Sequence, residues 1–311
     1  MSDNTLQSRQ TMSRFRRLGK RVGRTLTAVA VIFLAWELYH QWGNVKNWRP
    51  TVGQVGLLVA FSLFYGASLV ALAYNWLTIL STLMGELLPA RNVLLSHTQT
   101  QIAKYVPGNV FHFVSRHMYL SALGLPHRQI ALATLFELVS LPIAALCAVS
   151  VLLPFANVTD IASVDQRLAY IFPILGVLSL TFGAVILNYR RQQRLIWPIA
   201  IVLARATGFM LFQGLIFALI LQMISSEFVF IALPIAILAW LIGFVTPGAP
   251  GGVAVREALL IKLLAIAALQ EDILIVALLF RLVTSAGDLA IYGFGRAFVV
   301  RTTAQPTLDQ D

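Results

Sequence analysis

Apolar residues run through this chain in long stretches separated by short polar segments, and the lengths of those stretches are the first structural signal. A helix that crosses a bilayer needs about 20 mainly apolar residues. Stretches of that kind at about 25–42, 55–84, 129–153, 168–188, 196–223 and 273–297 each predict a transmembrane helix. Two further apolar regions, 92–123 and 229–268, are broken near the middle by Pro107-Gly108 and Pro247-Gly248. Proline lacks an amide proton and clashes with the preceding turn, and glycine takes backbone angles other residues avoid, so a helix stops at each pair. Both regions are expected to be re-entrant helical hairpins with their tips inside the membrane. The predicted fold is all-α: about six full spans plus two hairpins in one integral membrane domain, 25–297. Two full crossings per broken region would give the same loop assignment; the Pro-Gly breaks and the polarity of 96–104 favour hairpins.

Composition and charge sharpen this picture. Of 311 residues, 58% are hydrophobic and 12% charged, which leaves more apolar surface than water would tolerate on a chain of this length. The formal charge of +10 would suit nucleic acid, but its distribution follows the membrane instead. Residues 1–24 form a basic arm with Arg9, Arg14, Arg16, Arg17, Lys20, Arg21 and Arg24. The apolar run behind it, Thr25 to Trp42, ends in Trp36-Glu37-Leu38-Tyr39-His40 without a small-residue cleavage site, so it reads as a first span and not a signal peptide. With the N-terminus inside, segments 85–91, 124–128, 189–195 and the tail from 298 to 311 are cytoplasmic, and they hold Arg190, Arg191 and Arg194. The outer segments 43–54, 154–167, 224–228 and 269–272 hold only Lys46, Arg49 and Arg167 beside five carboxylates. The positive-inside rule is met, with both termini in the cytoplasm and the chain in a cytoplasmic (inner) membrane. Cys147 is the lone cysteine, and no His/Asp/Glu cluster has ligand spacing, so no metal site is expected. No nucleotide loop, nucleophile elbow or sizeable soluble domain is present, and neither a cofactor nor a catalytic residue is assigned.

The two broken regions resemble each other. Pro107 is followed nine residues later by Arg116 and then by Phe136-Glu137-Leu138-Val139-Ser140; Pro247 is followed nine residues later by Arg256 and then by Phe280-Arg281-Leu282-Val283-Thr284. The unit is therefore used twice, as repeat A at about 55–153 and repeat B at about 196–297. An odd number of spans separates the hairpins, so the repeats are inverted. In transporters that arrangement puts the substrate near the midplane, where the broken helices meet.

Lys104, Arg116, Arg205, Arg256, Lys262 and Arg281 fall outside the loops. A basic residue at the middle of a span costs roughly 2.5–3.5 kcal/mol, so pairing or water must offset it. Arg205 and Lys262, near boundaries, suit snorkelling. Arg116 and Arg256 hold equivalent places beyond the two breaks, where guanidinium forks and free helix N–H groups could cradle a phosphate or carboxylate. Alternatively each pairs with a buried acid such as Glu137, Glu257 or Asp288 and fixes packing. Arg281 and Asp288 lie seven apart, on one face of the last helix, and Glu137 and Arg281 occupy matching repeat positions with opposite signs, a candidate ion pair across the pseudo-symmetry axis. His97, Gln101 and Lys104, with Thr100 beside them, make a polar stripe that a lipid-facing helix would not carry. His112 and His117 read as packing or headgroup contacts.

Lys104-Tyr105-Val106-Pro107-Gly108 with Arg116, and Thr246-Pro247-Gly248-Ala249-Pro250-Gly251-Gly252-Val253-Ala254-Val255-Arg256-Glu257, resemble the two signature regions of the lysylphosphatidylglycerol synthase/flippase transmembrane family, also called the flippase-like domain family. The resemblance covers about residues 50 to 297, and its second motif is the more specific. It implies that Pro107, Gly108, Arg116, Pro247, Gly248, Gly252, Arg256 and Glu257 are the functional positions. It also implies a lipid-like substrate, and a stand-alone membrane module without the aminoacyl-transferase domain of the best-understood relatives.

The resulting expectation is a lipid translocase that moves an anionic phospholipid or polyprenyl-phosphate-type lipid between leaflets, a transporter more than an enzyme. Its substrate site would comprise Arg116, Arg256, Lys104 and the Pro-Gly residues, and Glu137, Glu257, Arg281 and Asp288 would be its breakable ion pairs. With no ATP site, movement would run down a gradient or couple to protons through Glu137 or a histidine. The alternative is a membrane subunit or enzyme acting with a partner on lipid-linked sugars or cell-envelope lipids. Expected partners are membrane lipids of anionic type, and no nucleic acid.

Overall fold

The computed structural model describes residues 48–106, 110–156, 195–246, 255–265 and 268–303, together with the single positions 32, 39 and 174. The arm 1–24, the predicted spans 25–42 and 168–188, and Pro107, Gly108, Pro247, Gly248 and Gly252 lie outside the described residues. Every element among those described is helical. They are numbered here α1 (Val52–Met84), α2 (Ala90–Thr100) running into a 3-10 turn (Gln101–Tyr105), α3 (Phe111–Ser121), α4 (His127–Leu152), α5 (Ile196–Ser225), α6 (Ala232–Val245), α7 (Val255–Leu264) and α8 (Gln270–Thr303).

Among the described residues, four helices are long and apolar enough to cross a membrane: Val52–Met84, His127–Phe155, Ile196–Ser225 and Gln270–Ala297. They match the expected spans 55–84, 129–153, 196–223 and 273–297 to within a few residues. Along α1 the buried residues Tyr65, Leu69, Leu72, Trp76, Ile79 and Leu80 recur at helical spacing, whereas Leu57, Val59, Leu63 and Phe64 are exposed. An exposed apolar face costs free energy in water and nothing in lipid, so the apolar outside of the bundle carries the same message as the composition.

Helix ends follow local chemistry. Thr51 and Gln54 form a reciprocal capping box at the start of α1, and Gly85 ends that helix at φ 73°, a left-handed angle that glycine adopts without strain. Val106 (φ −69°, ψ 132°) and Thr246 (φ −77°, ψ 113°) are both extended where the first arms of the two broken regions stop. Each precedes a proline in the sequence, and the proline ring disfavours the helical conformation of the residue before it. The interruption therefore occurs where the Pro-Gly pairs predict.

The elements flanking the breaks are short. At 1.5 Å per residue, the 14 residues of α6 span about 21 Å, less than the roughly 30 Å hydrocarbon core. All of Ile231 to Ala239 is buried, whereas Val245 at the end of the helix is exposed, so protein covers most of α6. By contrast α2 buries Ser96, His97, Thr98, Thr100 and Gln101. Its hydroxyls are satisfied within the helix: Ser96 Oγ donates to Val93 O at 2.6 Å and Thr100 Oγ1 to Ser96 O at 2.7 Å. Local pairing of this kind lets polar side chains be buried without a distant partner.

One core joins residues of α1, α4, α5, α6, α7 and α8, and a smaller cluster around Trp76, Leu80, Leu120 and Ile130 seats α3 between α1 and α4. Helices α1 and α5 are antiparallel. Gln54, at the start of α1, donates from Nε2 to Met223 O near the end of α5 at 3.3 Å, while Asn75 Nδ2 donates to Val202 O near the start of α5 at 3.0 Å. Helices α1 and α8 touch backbone to backbone. A Cβ at Gly287 would lie 2.6 Å from Ser62 O, and one at Gly66 would lie 2.8 Å from Gly287 O. Small residues at such a crossing permit the close approach that drives helix association in lipid.

Candidate functional site

A cavity of about 180 Å³ lies inside the bundle, with walls from α1, α2 and its 3-10 turn, α3, α4, α5, α6, α7 and α8. Its position follows from the breaks. Lys104, Tyr105 and Val106 come from the turn where the first broken helix ends; Trp240 and Phe244 come from the end of α6, and Arg256 from the start of α7. Aromatic rings fill much of the wall, with Trp240 and Phe244 stacked at 5.0 Å. The polar wall is His97, Gln101, Lys104, His112, Glu137, Gln213, Arg256, Arg281 and Thr284.

Three ion pairs organise the charge. Arg116, only 1% exposed, donates from Nη1 to Glu137 Oε2 at 2.5 Å, and His97 Nε2 stands 3.7 Å from the other Glu137 oxygen. The guanidinium carbon of Arg116 also lies 4.8 Å from the Trp76 ring centroid, a cation–π contact in a desolvated place. Arg116 is absent from the cavity wall. The second pair joins Lys104 Nζ to Asp288 Oδ2 at 2.7 Å, with Tyr105 donating its hydroxyl to the same oxygen at 2.5 Å. Asp288 is wholly buried. The third is looser: Arg281 Nη1 lies 3.8 Å from Glu257 Oε1, with both side chains partly exposed.

The first and third pairs are equivalents with reversed sign. In each repeat the second arm of the broken region is tied to the following long helix, by arginine to glutamate in one and by glutamate to arginine in the other. Helix α3 is tied to α4 through Arg116–Glu137, and α7 to α8 through Glu257–Arg281. The residue left over is Arg256. Among the described residues it makes no ion pair; its guanidinium lies 5.8 Å from the Phe280 ring on the cavity wall.

Several expected contacts are replaced by others. Glu137 and Arg281 both line the cavity, but Glu137 is engaged by Arg116 and the acid at Arg281 is Glu257. Asp288 turns to Lys104 and Tyr105, although Arg281 shares its helix face. The structure separates Arg116 from Arg256 in role: the first faces Glu137 behind the wall, the second faces the cavity. Arg205 and Lys262 are exposed and away from the cavity, in keeping with boundary positions. His117 lies outside the cavity too, 2.8 Å from His127 at the turn joining α3 to α4. Sequence reasoning missed Tyr65, Tyr105, Gln213, Trp240, Phe244 and Thr284 on the wall. Gln213 carried a signal as an amide near the middle of a mainly apolar span; the aromatics, common in any span, carried none. Among the described residues no group of His, Cys, Asp and Glu could hold a metal ion.

No protein-family model matches this chain, and a search of curated proteins returns no match either.

Proposed function

We propose that this protein is a lipid translocase that binds the anionic headgroup of a phospholipid or polyprenyl-phosphate-type lipid in the central cavity and passes it between leaflets while the tail stays in lipid. The observation that carries the reading is the position of Arg256. A guanidinium that forms no ion pair among the described residues, on the wall of a partly open, aromatic-lined cavity, can direct its donors at a phosphate oxygen. Arg281, with Glu257 at 3.8 Å, and Lys104 stand on the same wall. Arg116 supports the site from behind by fixing Glu137.

The architecture proposed with it has six spans and two re-entrant hairpins in inverted repeats, in a cytoplasmic membrane with both termini inside. Three observations support it. The elements beside both breaks are too short to cross, the first long helices of the two repeats are antiparallel, and residues next to both breaks meet at one cavity. Broken helices are tolerated at membrane depth where they line such a cavity.

The test is leaflet-to-leaflet movement of fluorescent phosphatidylglycerol, phosphatidylcholine and a polyprenyl phosphate in proteoliposomes. An anionic lipid should move with the native chain. A charge-assisted hydrogen bond is worth about 1.5–3 kcal/mol, so Arg256→Gln should slow that movement roughly 10- to 100-fold. If the folded native protein moves no lipid of the panel, the proposal fails.

A further inference from the structure

The translocase reading leaves open what drives movement, and the Lys104–Asp288 pair bears on it. Asp288 belongs to α8, in the second repeat; Lys104 and Tyr105 belong to the turn that ends the first broken helix. Their contacts therefore tie one broken region to the last long helix beside the cavity, at 2.7 Å and 2.5 Å. The two partners differ in access. Asp288 is wholly buried, whereas the Lys104 side chain is 23% exposed and stands on the cavity wall.

We infer that Asp288 is the proton-binding group of a proton-coupled transport cycle, and that the substrate anion triggers its protonation by drawing Lys104 away. The inference rests on the translocase reading. In the empty site the Lys104 ammonium and the Asp288 carboxylate neutralise each other. When a lipid phosphate takes Lys104 as its counter-ion, the Lys104–Asp288 contact breaks and a buried carboxylate is left without a cation. Such a charge is costly in a low-dielectric interior, and taking up a proton removes it. One proton enters with one negative charge, no covalent bond other than Asp288 O–H forms, and the site's net charge is unchanged. Release of the lipid returns Lys104 to Asp288 and expels the proton.

Glu137 cannot serve in this way. Its cation, Arg116, is buried behind the wall on Trp76, out of reach of a ligand in the cavity. Other charged and titratable groups bear on the Asp288 site without taking its place. Lys104 lies 6.0 Å from the Tyr65 ring of α1 and 5.4 Å from the Tyr105 ring. Arg256 from α7, Arg281 from α8, and His97, His112 and Glu137 from α2, α3 and α4 also face the cavity.

The experiment reconstitutes the full chain in proteoliposomes with a fluorescent phosphatidylglycerol and compares its movement with and without an imposed pH gradient. In the native protein the gradient should bias the final leaflet distribution several-fold. In Asp288→Asn, which cannot gain or lose the proton, movement down the lipid's own gradient should persist and the pH bias should vanish. Native protein that moves the lipid with no pH bias, or an Asp288→Asn variant that keeps the bias, overturns the inference while leaving the translocase reading intact. Absence of movement in the native protein overturns both. A second readout needs no variant: binding of dihexanoyl phosphatidylglycerol to the native protein in weakly buffered detergent should take up close to one proton per lipid bound, seen with a pH-sensitive dye, and no uptake contradicts the inference.

Discussion

The two broken regions share a plan and differ in how their charge is handled. The first is polar along α2, and two of its cations are matched: Arg116 by Glu137 and Lys104 by Asp288. The second is apolar along α6, and Arg256 at the start of its second arm forms no ion pair among the described residues, although it feels the charge of its chain neighbour Glu257. Two arginines, each nine residues past a proline, thus stand in different surroundings: one is paired with a carboxylate, and the other is on the cavity wall.

This contrast can be broken in graded steps. The largest loss should come from Glu137→Ala, which strands the buried Arg116 and should cost about 3–5 kcal/mol, read from denaturation in mixed micelles. Replacing the pair together, as Arg116→Leu with Glu137→Leu, should recover most of that loss, because two apolar side chains remove both desolvation costs. Next comes Gly287→Ala, whose methyl would meet Ser62 O at 2.6 Å. Backbone cannot yield as a side chain can, so about 1–3 kcal/mol should be lost by the same assay. Glu257→Gln breaks only the 3.8 Å pair between partly exposed groups, and should cost at most about 1 kcal/mol. The smallest stability effect is expected of Arg256→Gln, within about 0.5 kcal/mol, although this variant should impair transport most.

Four of the six expected spans were legible as long apolar helices because length and apolarity alone define them, and the capped start of α1 and the extended Val106 and Thr246 show local rules holding at helix ends. The ends of the first arms at Val106 and Thr246 were legible through Pro107 and Pro247. Partner choice was not. Helical spacing puts Arg281 and Asp288 on one face, yet it says nothing about which element packs there, and Asp288 meets Tyr105, 183 residues away in sequence. Arg116 and Glu137, 21 residues apart on consecutive helices, were within reach of sequence reasoning as one of several pairings. The cavity's aromatic wall was invisible because Trp240 and Phe244 look like any other apolar residues until the fold turns them inward.

The most direct measurement compares the rate of phosphatidylglycerol movement with that of phosphatidylcholine in proteoliposomes carrying the native chain, Arg256→Gln, or the Arg116→Leu/Glu137→Leu pair. The expected result is that Arg256→Gln loses the anionic preference by roughly 10- to 100-fold and the leucine pair keeps it. Loss of the preference in the leucine pair with its retention in Arg256→Gln would contradict the assignment of Arg256 as the headgroup anchor.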